Sequence, residues 1–304
     1  MTRHFRTLLD LSKDELVSVL ARSAELRSLR GTDAHPRPLA GKSVAVIFDK
    51  ASTRTRISFE VGIFELGAHP LIIAAKDTQL GRGEPIEDTA KMLSRFCHAA
   101  VWRTFGQSRV DALAAAASIP VVNALTDEHH PCQLLADLLT VRDSFDDAWP
   151  ELRIAWIGDG NNMANSWIHA AGLLGFELRV ACPDGYDPSN HTLAEARALG
   201  ARVKLVRDPR EAAEGAHVVT TDVWASMGQE SESDARTKAF SRFQVDDALM
   251  AVSDRSSIFL HCLPAHRGEE VSASVIDGPR SKVWDEAENR LHSQKALLEY
   301  LIAG

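Results

Sequence analysis

Ser43-Val44-Ala45-Val46-Ile47-Phe48-Asp49 is followed, after Lys50 and Ala51, by Ser52-Thr53-Arg54-Thr55-Arg56. An apolar run thus breaks into hydroxyls and guanidiniums where strand should turn into helix. Beyond it, Ile57, Val61 and Phe64 share one face at helical spacing, and Leu66-Gly67 supplies a stop. A helix N-terminus offers unpaired backbone N–H groups and partial positive charge; Ser52, Thr53 and Thr55 add hydroxyl donors, and Arg54 adds a fork matched to phosphate oxygens. The turn is therefore a candidate dianion site. The plainer reading of the same residues is an N-capped surface helix carrying two solvated arginines.

Working outward, Ser12 and Glu15 form a capping box at the start of a helix running to about Leu29, and Pro36 and Pro38 mark a loop. Pro70 to Ala74, Ala99 to Trp102 and Val121 to Ala124 read as strands. Ile86 to Phe96, Arg109 to Ala117 and Cys132 to about Phe145 read as helices, with Pro131 allowed in the first turn of the last. Residues 146–151, with Pro150, suit a linker. A second series follows: strands over 152–157, 177–181, 202–206, 218–221 and 258–261, and helices over 163–174, 191–199, 209–214, 245–251 and 286–302. Strands alternating with helices imply a parallel sheet covered on both faces. The fold class expected is α/β, with two doubly wound, Rossmann-like domains over 1–145 and 150–304. Ligands of such folds collect outside the carboxyl ends of the strands.

With 304 residues and 45% hydrophobic content, the chain suits two cores. No apolar run approaches the about 20 residues of a membrane span, and Met1 to Phe5 leads into charged sequence, so a cytoplasmic protein is expected. Cys97, Cys132, Cys182 and Cys262 contain no Cys-x-x-Cys pair, which fits reduced thiols. A net charge of −8 without a basic block argues against nucleic acid as a partner. An anionic substrate must then be held by a local arginine cluster, such as the one at Ser52 to Arg56.

Gly158-Asp159-Gly160-Asn161-Asn162-Met163 begins like a dinucleotide fingerprint but places Met163 at the third glycine position, so the cofactor assignment lapses. Asn161 and Asn162 present amides there, as helix caps or as ligands. His129-His130-Pro131-Cys132-Gln133 and His261-Cys262-Leu263-Pro264-Ala265-His266 suggest zinc at first sight but lack finger spacing; no metal and no cofactor are expected. Cys262 is a core thiol or a polarised group facing the ligand, and Asp222 a turn cap or an ammonium holder.

Taken together and in order, Ser52 to Arg56, Gln79-Leu80-Gly81-Arg82-Gly83-Glu84, Trp102-Arg103-Thr104, His130-Pro131-Cys132-Gln133, Asp222-Val223-Trp224 with Ser226-Met227-Gly228, and His261-Cys262-Leu263-Pro264 resemble the ornithine carbamoyltransferases. The resemblance spans nearly the whole chain. Its first-half motifs belong to the wider aspartate/ornithine carbamoyltransferase superfamily and name the donor, carbamoyl phosphate. The acceptor is named by the second half: the aspartate enzymes' lysine and His-Pro-Leu-Pro-Arg segment are replaced here by Thr78-Gln79-Leu80-Gly81 and His261-Cys262-Leu263-Pro264, and a putrescine-specific relative lacks the Ser226-Met227-Gly228 loop.

The resemblance implies an active site in the cleft between the domains, with the helix of about 286–304 packing back onto the first. It implies that Ser52, Thr53, Arg54 and Thr55 hold the phosphate, that Arg103 bridges phosphate and carbonyl oxygen, and that His130 and Gln133 contact the carbamoyl group. Cys262, Leu263 and Arg290 complete the donor site, and Gln79 arrives from a neighbouring subunit of a homotrimer. Asn162, Asp222, Ser226 and Met227 are implied to hold L-ornithine. Arg103, His130, Asp222 and Cys262 are the implied catalytic residues, Cys262 serving as proton relay near the δ-nitrogen, and the Ser226 loop is expected to close over the bound donor. Arg56 is expected to pair with Glu60 or Glu84 rather than with substrate. The rival classes are a metal-dependent hydrolase built on the His/Cys clusters and a non-catalytic Rossmann-type module; within the favoured class, another amine acceptor or the catabolic direction.

Overall fold

Apolar, mostly β-branched or alanine-rich segments form β1 (Ser43–Phe48), β2 (His69–Ala74), β3 (Ala99–Arg103) and β4 (Val121–Leu125), all parallel in the order β2-β1-β3-β4. The computed structural model describes residues 2–225 and 233–303. They divide into two compact units, one of residues 1–139 with 288–304, the other of residues 140–287. The first unit holds α1 (Lys13–Ser28), α2 (Thr53–Glu65), α3 (Ile86–Phe96) and α4 (Gln107–Ala116); α5 (Pro131–Phe145) runs across the unit boundary. The capping box closes at α1: Ser12 Oγ accepts from the Glu15 N–H, and Glu15 accepts from the Ser12 N–H.

The second sheet is also parallel: β5 (Arg153–Ile157), β6 (Glu177–Ala181), β7 (Arg202–Val206), β8 (Val218–Thr221) and β9 (Ile258–His261), in the order β7-β6-β5-β8-β9. Around it lie α6 (Asn162–Leu174), α7 (Asn190–Ala198), α8 (Pro209–Ala213), α9 (Ser233–Phe240), α10 (Asp247–Met250) and α11 (Ala273–Ile276). The last helix, α12 (Val283–Ile302), begins in the second unit and from residue 288 belongs to the first. There Arg22 makes a two-pronged bond to Glu299, and Lys295 Nζ reaches Glu65 at 2.8 Å. No helix among the described residues is long and apolar enough to cross a membrane.

Two expectations need correction. α2 forms, but it buries Thr55, Ser58, Phe59, Gly62 and Ile63, leaving Ile57 and Phe64 56% and 66% exposed. The close seat of α12 goes with this: a Cβ on Gly62 would lie 3.1 Å from Lys295 Cγ and 3.3 Å from a Leu291 methyl, so the face carrying Gly62, together with Phe59 and Ile63, is the one that packs. The helix expected over 245–251 shrinks to α10, because the Val245 N–H donates to the Glu270 carbonyl and Asp246 caps the helix.

Strand order decides where ligands sit. β1 lies between β2 and β3, and β5 between β6 and β8, so in each sheet the chain reverses direction of travel at these strands. The turns after β1, β3, β5, β8 and β9 carry the polar motifs.

Candidate active site

In the first unit, the site is built where α2 begins. Ser52 is the N-cap residue of α2, yet its side chain makes no capping bond, in contrast to Ser12 on α1 and Asn161 on α6. The plain N-cap reading therefore fails, and the first-turn N–H groups of α2 are uncapped by side chains, as an anion site requires. Thr53 and Arg54 are exposed and Ser52 half-buried. Ser52 and Thr53 line a cavity of about 620 Å³ whose wall also includes Lys50, Arg56 and Lys76 but not Arg54. Arg56 pairs with Glu60 at 3.5 Å.

Thr55 is 1% exposed and joins three helices: its Oγ1 accepts from Arg290 Nη2 of α12 at 2.7 Å, while Arg290 Nη1 donates to Gln133 Oε1 of α5. Gln133 Nε2 in turn donates to Asp137 at 2.8 Å. The guanidinium is thus oriented from both sides. Among the described residues the Thr55 hydroxyl has no acceptor for its own proton, which leaves that proton for a ligand oxygen.

Arg103 ends β3, buried, at a register shift between Trp102 and Arg103 against β4. His130 directly precedes α5 and is also buried. Burial, with Arg290 and Arg103 adding to it, holds its imidazole well below the usual histidine range, so it is neutral at pH 7 and has one N–H to donate. Cys132 is a core thiol: its Sγ faces the Asn123 carbonyl at 3.3 Å, and burial pushes its pKa up to about 12. Gln79 lies apart in an exposed turn, its carbonyl accepting from the Arg82 and Glu84 N–H groups. Gly81 is required in this turn, since a Cβ would lie 2.7 Å from the Ala75 carbonyl oxygen.

In the second unit, Asp222 follows β8 and collects three donors: the Val223 N–H at 2.8 Å, Asn161 Nδ2 at 2.9 Å and the Cys262 thiol at 3.1 Å. The pairing of Asp222 with Cys262 rests on the adjacency of β8 and β9. Asn161 is the cap of α6, accepting from the Met163 and Ala164 N–H groups, and Asn162 is the first helical residue, half-buried. Leu263 follows with φ +57°. Ser226 and Met227 lie outside the described residues. Gly160, read in the sequence as part of a failed cofactor fingerprint, serves the fold: a Cβ there would lie 2.2 Å from the Pro188 N.

Several supporting residues carried no signal in the sequence. Arg236 of α9 donates to Asp159 at 2.8 Å and to the Trp224 carbonyl at 2.9 Å, and its guanidinium lies over the Tyr186 ring. Burial lifts the Asp159 carboxyl above the usual range, against the pull of Arg236. Glu286 accepts from the His261 N–H at 2.9 Å. Asp222, His261 and Cys262 place ligand-type atoms within 4.8 Å of one another, as do His266, Glu269 and Glu270. Both ring nitrogens of His261 are engaged, Nδ1 by the Leu263 N–H and Nε2 by Glu270, so the first trio meets a metal only by breaking one of those bonds.

The chain is similar to known proteins over nearly its whole length. Residues 3–143 match the carbamoyl-P binding domain of the aspartate/ornithine carbamoyltransferases, and residues 150–301 match their Asp/Orn binding domain. An ornithine carbamoyltransferase of Pelobacter propionicus is 55% identical over 306 residues, covering 100% of both chains. An anabolic ornithine carbamoyltransferase of Pseudomonas aeruginosa is 50% identical, covering 99% of this chain and 97% of its own. Among solved structures, the ornithine carbamoyltransferase of Pyrococcus furiosus superposes with a TM-score of 0.93 at 43% identity, covering 99% of this chain and 97% of its own.

Proposed function

The chain belongs to the aspartate/ornithine carbamoyltransferase family, and from that premise we propose that it transfers the carbamoyl group of carbamoyl phosphate to the δ-amine of L-ornithine, giving L-citrulline and phosphate. The observation that carries the donor assignment is the uncapped start of α2 with Thr55 tied to Arg290 and Gln133. The acceptor assignment rests on Asp222 with its amide and thiol partners, a carboxylate suited to an α-ammonium, and on relatives named for ornithine over the full length. Residues 1–145, joined by the helix of about 286–304, form the donor domain in this reading, and residues 150–304 the acceptor domain.

The donor's phosphate lies against Ser52, Thr53, Arg54 and Thr55, where helix N–H groups, hydroxyls and a guanidinium converge. Arg103, Thr55 and neutral His130 point donors at the carbonyl oxygen, with Gln133 on the carbamoyl amide and the Cys262-Leu263 backbone and Arg290 completing the site. The δ-nitrogen attacks the carbonyl carbon; a C–N bond forms, negative charge grows on oxygen, and the C–O bond to phosphate breaks with its electron pair leaving on phosphate. Each oxyanion donor contributes about 3 kcal/mol to this step. An alkyl ammonium has a pKa near ~10 and is inert while protonated, so the amine loses its proton before or during attack. Asp222, with Asn162, Ser226 and Met227, anchors the α-amino acid head, and Cys262 relays the δ-proton: the thiol passes its own proton to Asp222, 3.1 Å away, as it takes one from the δ-nitrogen.

The anabolic direction, in arginine biosynthesis, is favoured by the relative named anabolic. A homotrimer is supported by the exposed apolar side chains Ile57 and Phe64 on α2 and Phe96, 70% exposed, on α3; Gln79 then enters a neighbour's donor site. A cytoplasmic location goes with this role. The test is citrulline-type product formation from carbamoyl phosphate with ornithine, aspartate, putrescine or acetylornithine as acceptor. Ornithine is expected to be carbamoylated on the order of ten-thousandfold faster, which is what unpaired polar groups exact from a misfit substrate; equal or faster turnover of another amine refutes the assignment.

A further inference from the structure

We infer that His261 and Glu270 are positioning residues, a buried imidazole–carboxylate pair that fixes the backbone at Leu263 and with it the segment carrying Cys262; this rests on the carbamoyl-transfer reading above. His261 is 1% exposed and Glu270 0%. Glu270 Oε1 meets His261 Nε2 at 3.1 Å and accepts from the His266 N–H at 2.6 Å. His261 Nδ1 accepts from the Leu263 N–H at 2.9 Å. One carboxylate oxygen therefore holds both ends of the segment 261–266, and the imidazole carries that hold to Leu263.

The tautomer follows from the donors. A backbone N–H can only donate, so Nδ1 keeps its lone pair toward Leu263, the proton sits on Nε2, and Nε2–H donates to Glu270. Leu263 needs such a hold. At φ +57° a branched residue occupies the left-handed region at a steric cost, and conformations of this kind persist where surrounding bonds impose them. The consequence lies one residue back: Cys262 directs its thiol at Asp222, 3.1 Å away, and the direction of that thiol is set by the backbone on either side of it. On the other side, the His261 N–H is held by Glu286. A hydrocarbon core at residue 270 avoids desolvating a carboxylate; the carboxylate supplies geometry instead.

The test uses two pairs of substitutions in the full-length protein. In His261→Asn the amide oxygen reaches the place of Nδ1 and keeps the Leu263 bond; in His261→Gln the amide reaches the place of Nε2 and loses it. Glu270→Gln keeps an oxygen for His261 and His266, and Glu270→Ala keeps none. The expectation is that His261→Gln and Glu270→Ala lower kcat by about 10-fold or more, in the range seen when a group orienting a reactive residue is lost, with KM for ornithine changing less. His261→Asn and Glu270→Gln recover most of kcat. Equal kcat within each pair overturns the inference. Independently of turnover, 15N NMR of histidine-labelled protein at pH 8 is expected to show His261 protonated at Nε2 and bare at Nδ1; the opposite tautomer overturns the relay. Should the wild-type protein form no citrulline, the functional reading falls, and the tautomer still decides the hydrogen-bond relay. Should Glu270→Ala not fold, the two His261 variants and the NMR result decide.

Discussion

Replacing Thr55 by valine removes one oxygen from the proposed donor site while keeping its shape. The site is 1% exposed, so the methyl that replaces the hydroxyl occupies the same packed volume. Two interactions go with that oxygen: the 2.7 Å bond from Arg290 Nη2, and the proton that has no acceptor among the described residues and is available to the donor's oxygen. A hydrogen bond to a charged group contributes about 1.5–3 kcal/mol, and each 1.4 kcal/mol is a factor of ten. The expected loss in kcat/KM for carbamoyl phosphate is thus about 10- to 100-fold, with ornithine saturating. Initial-rate measurement of citrulline across a range of carbamoyl phosphate concentrations gives the number. The split between kcat and KM adds to it: a fall in kcat marks an interaction made in the transition state, a rise in KM alone marks uniform binding. A variant within about twofold of wild type in kcat/KM refutes the claim that Thr55 links Arg290 to the donor.

Acid should weaken the first unit through His292. Burial, then the neighbouring Lys295, lowers its pKa to about 4 in the native protein, whereas the unfolded chain titrates near about 6.5. Between these values the unfolded state binds a proton that the native state refuses, so stability falls as pH drops below about 6.5, by about 3 kcal/mol near pH 4. Urea unfolding at pH 7, 6, 5 and 4.5 should show His292→Gln losing correspondingly less than wild type; parallel curves contradict the burial argument. Cys262→Ala should depress kcat and shift its pH profile, and unaltered kinetics would remove the thiol from the proton path. Arg236→Met leaves the Asp159 carboxylate buried without its 2.8 Å partner and should cost about 3–5 kcal/mol of stability. Asp159→Asn in addition should restore part of it, and a double variant no more stable than the single one argues that the pair is not coupled.

The strands were legible because each is a short apolar run between turn residues, and their parallel arrangement followed from the helices between them. The turn at Ser52 was legible as chemistry but not as geometry: sequence left an N-cap and an anion site as alternatives, and the unengaged Ser52 side chain speaks against the cap. The core face of α2 was misread because the spacing of Ile57, Val61 and Phe64 put them inside, whereas Phe59 and Ile63 are the buried apolar residues and α12 packs closely at Gly62. Of two adjacent amides, Asn161 and Asn162, sequence could not say which caps α6; extended backbone at Asn161 gives it the role. Arg236 with Asp159 was invisible for a different reason. A buried ion pair between residues 77 positions apart leaves no periodicity, and α9 itself sits in polar sequence without an apolar stripe.

The central claim is that the start of α2 holds the phosphate of carbamoyl phosphate. A crystal structure of the protein with carbamoyl phosphate bound tests it most directly. The prediction is phosphorus density at the N-terminus of α2, with phosphate oxygens within hydrogen-bond distance of the Arg54 guanidinium and the Thr53 and Thr55 N–H groups. Density for the donor elsewhere, with Arg54 still in solvent, contradicts it.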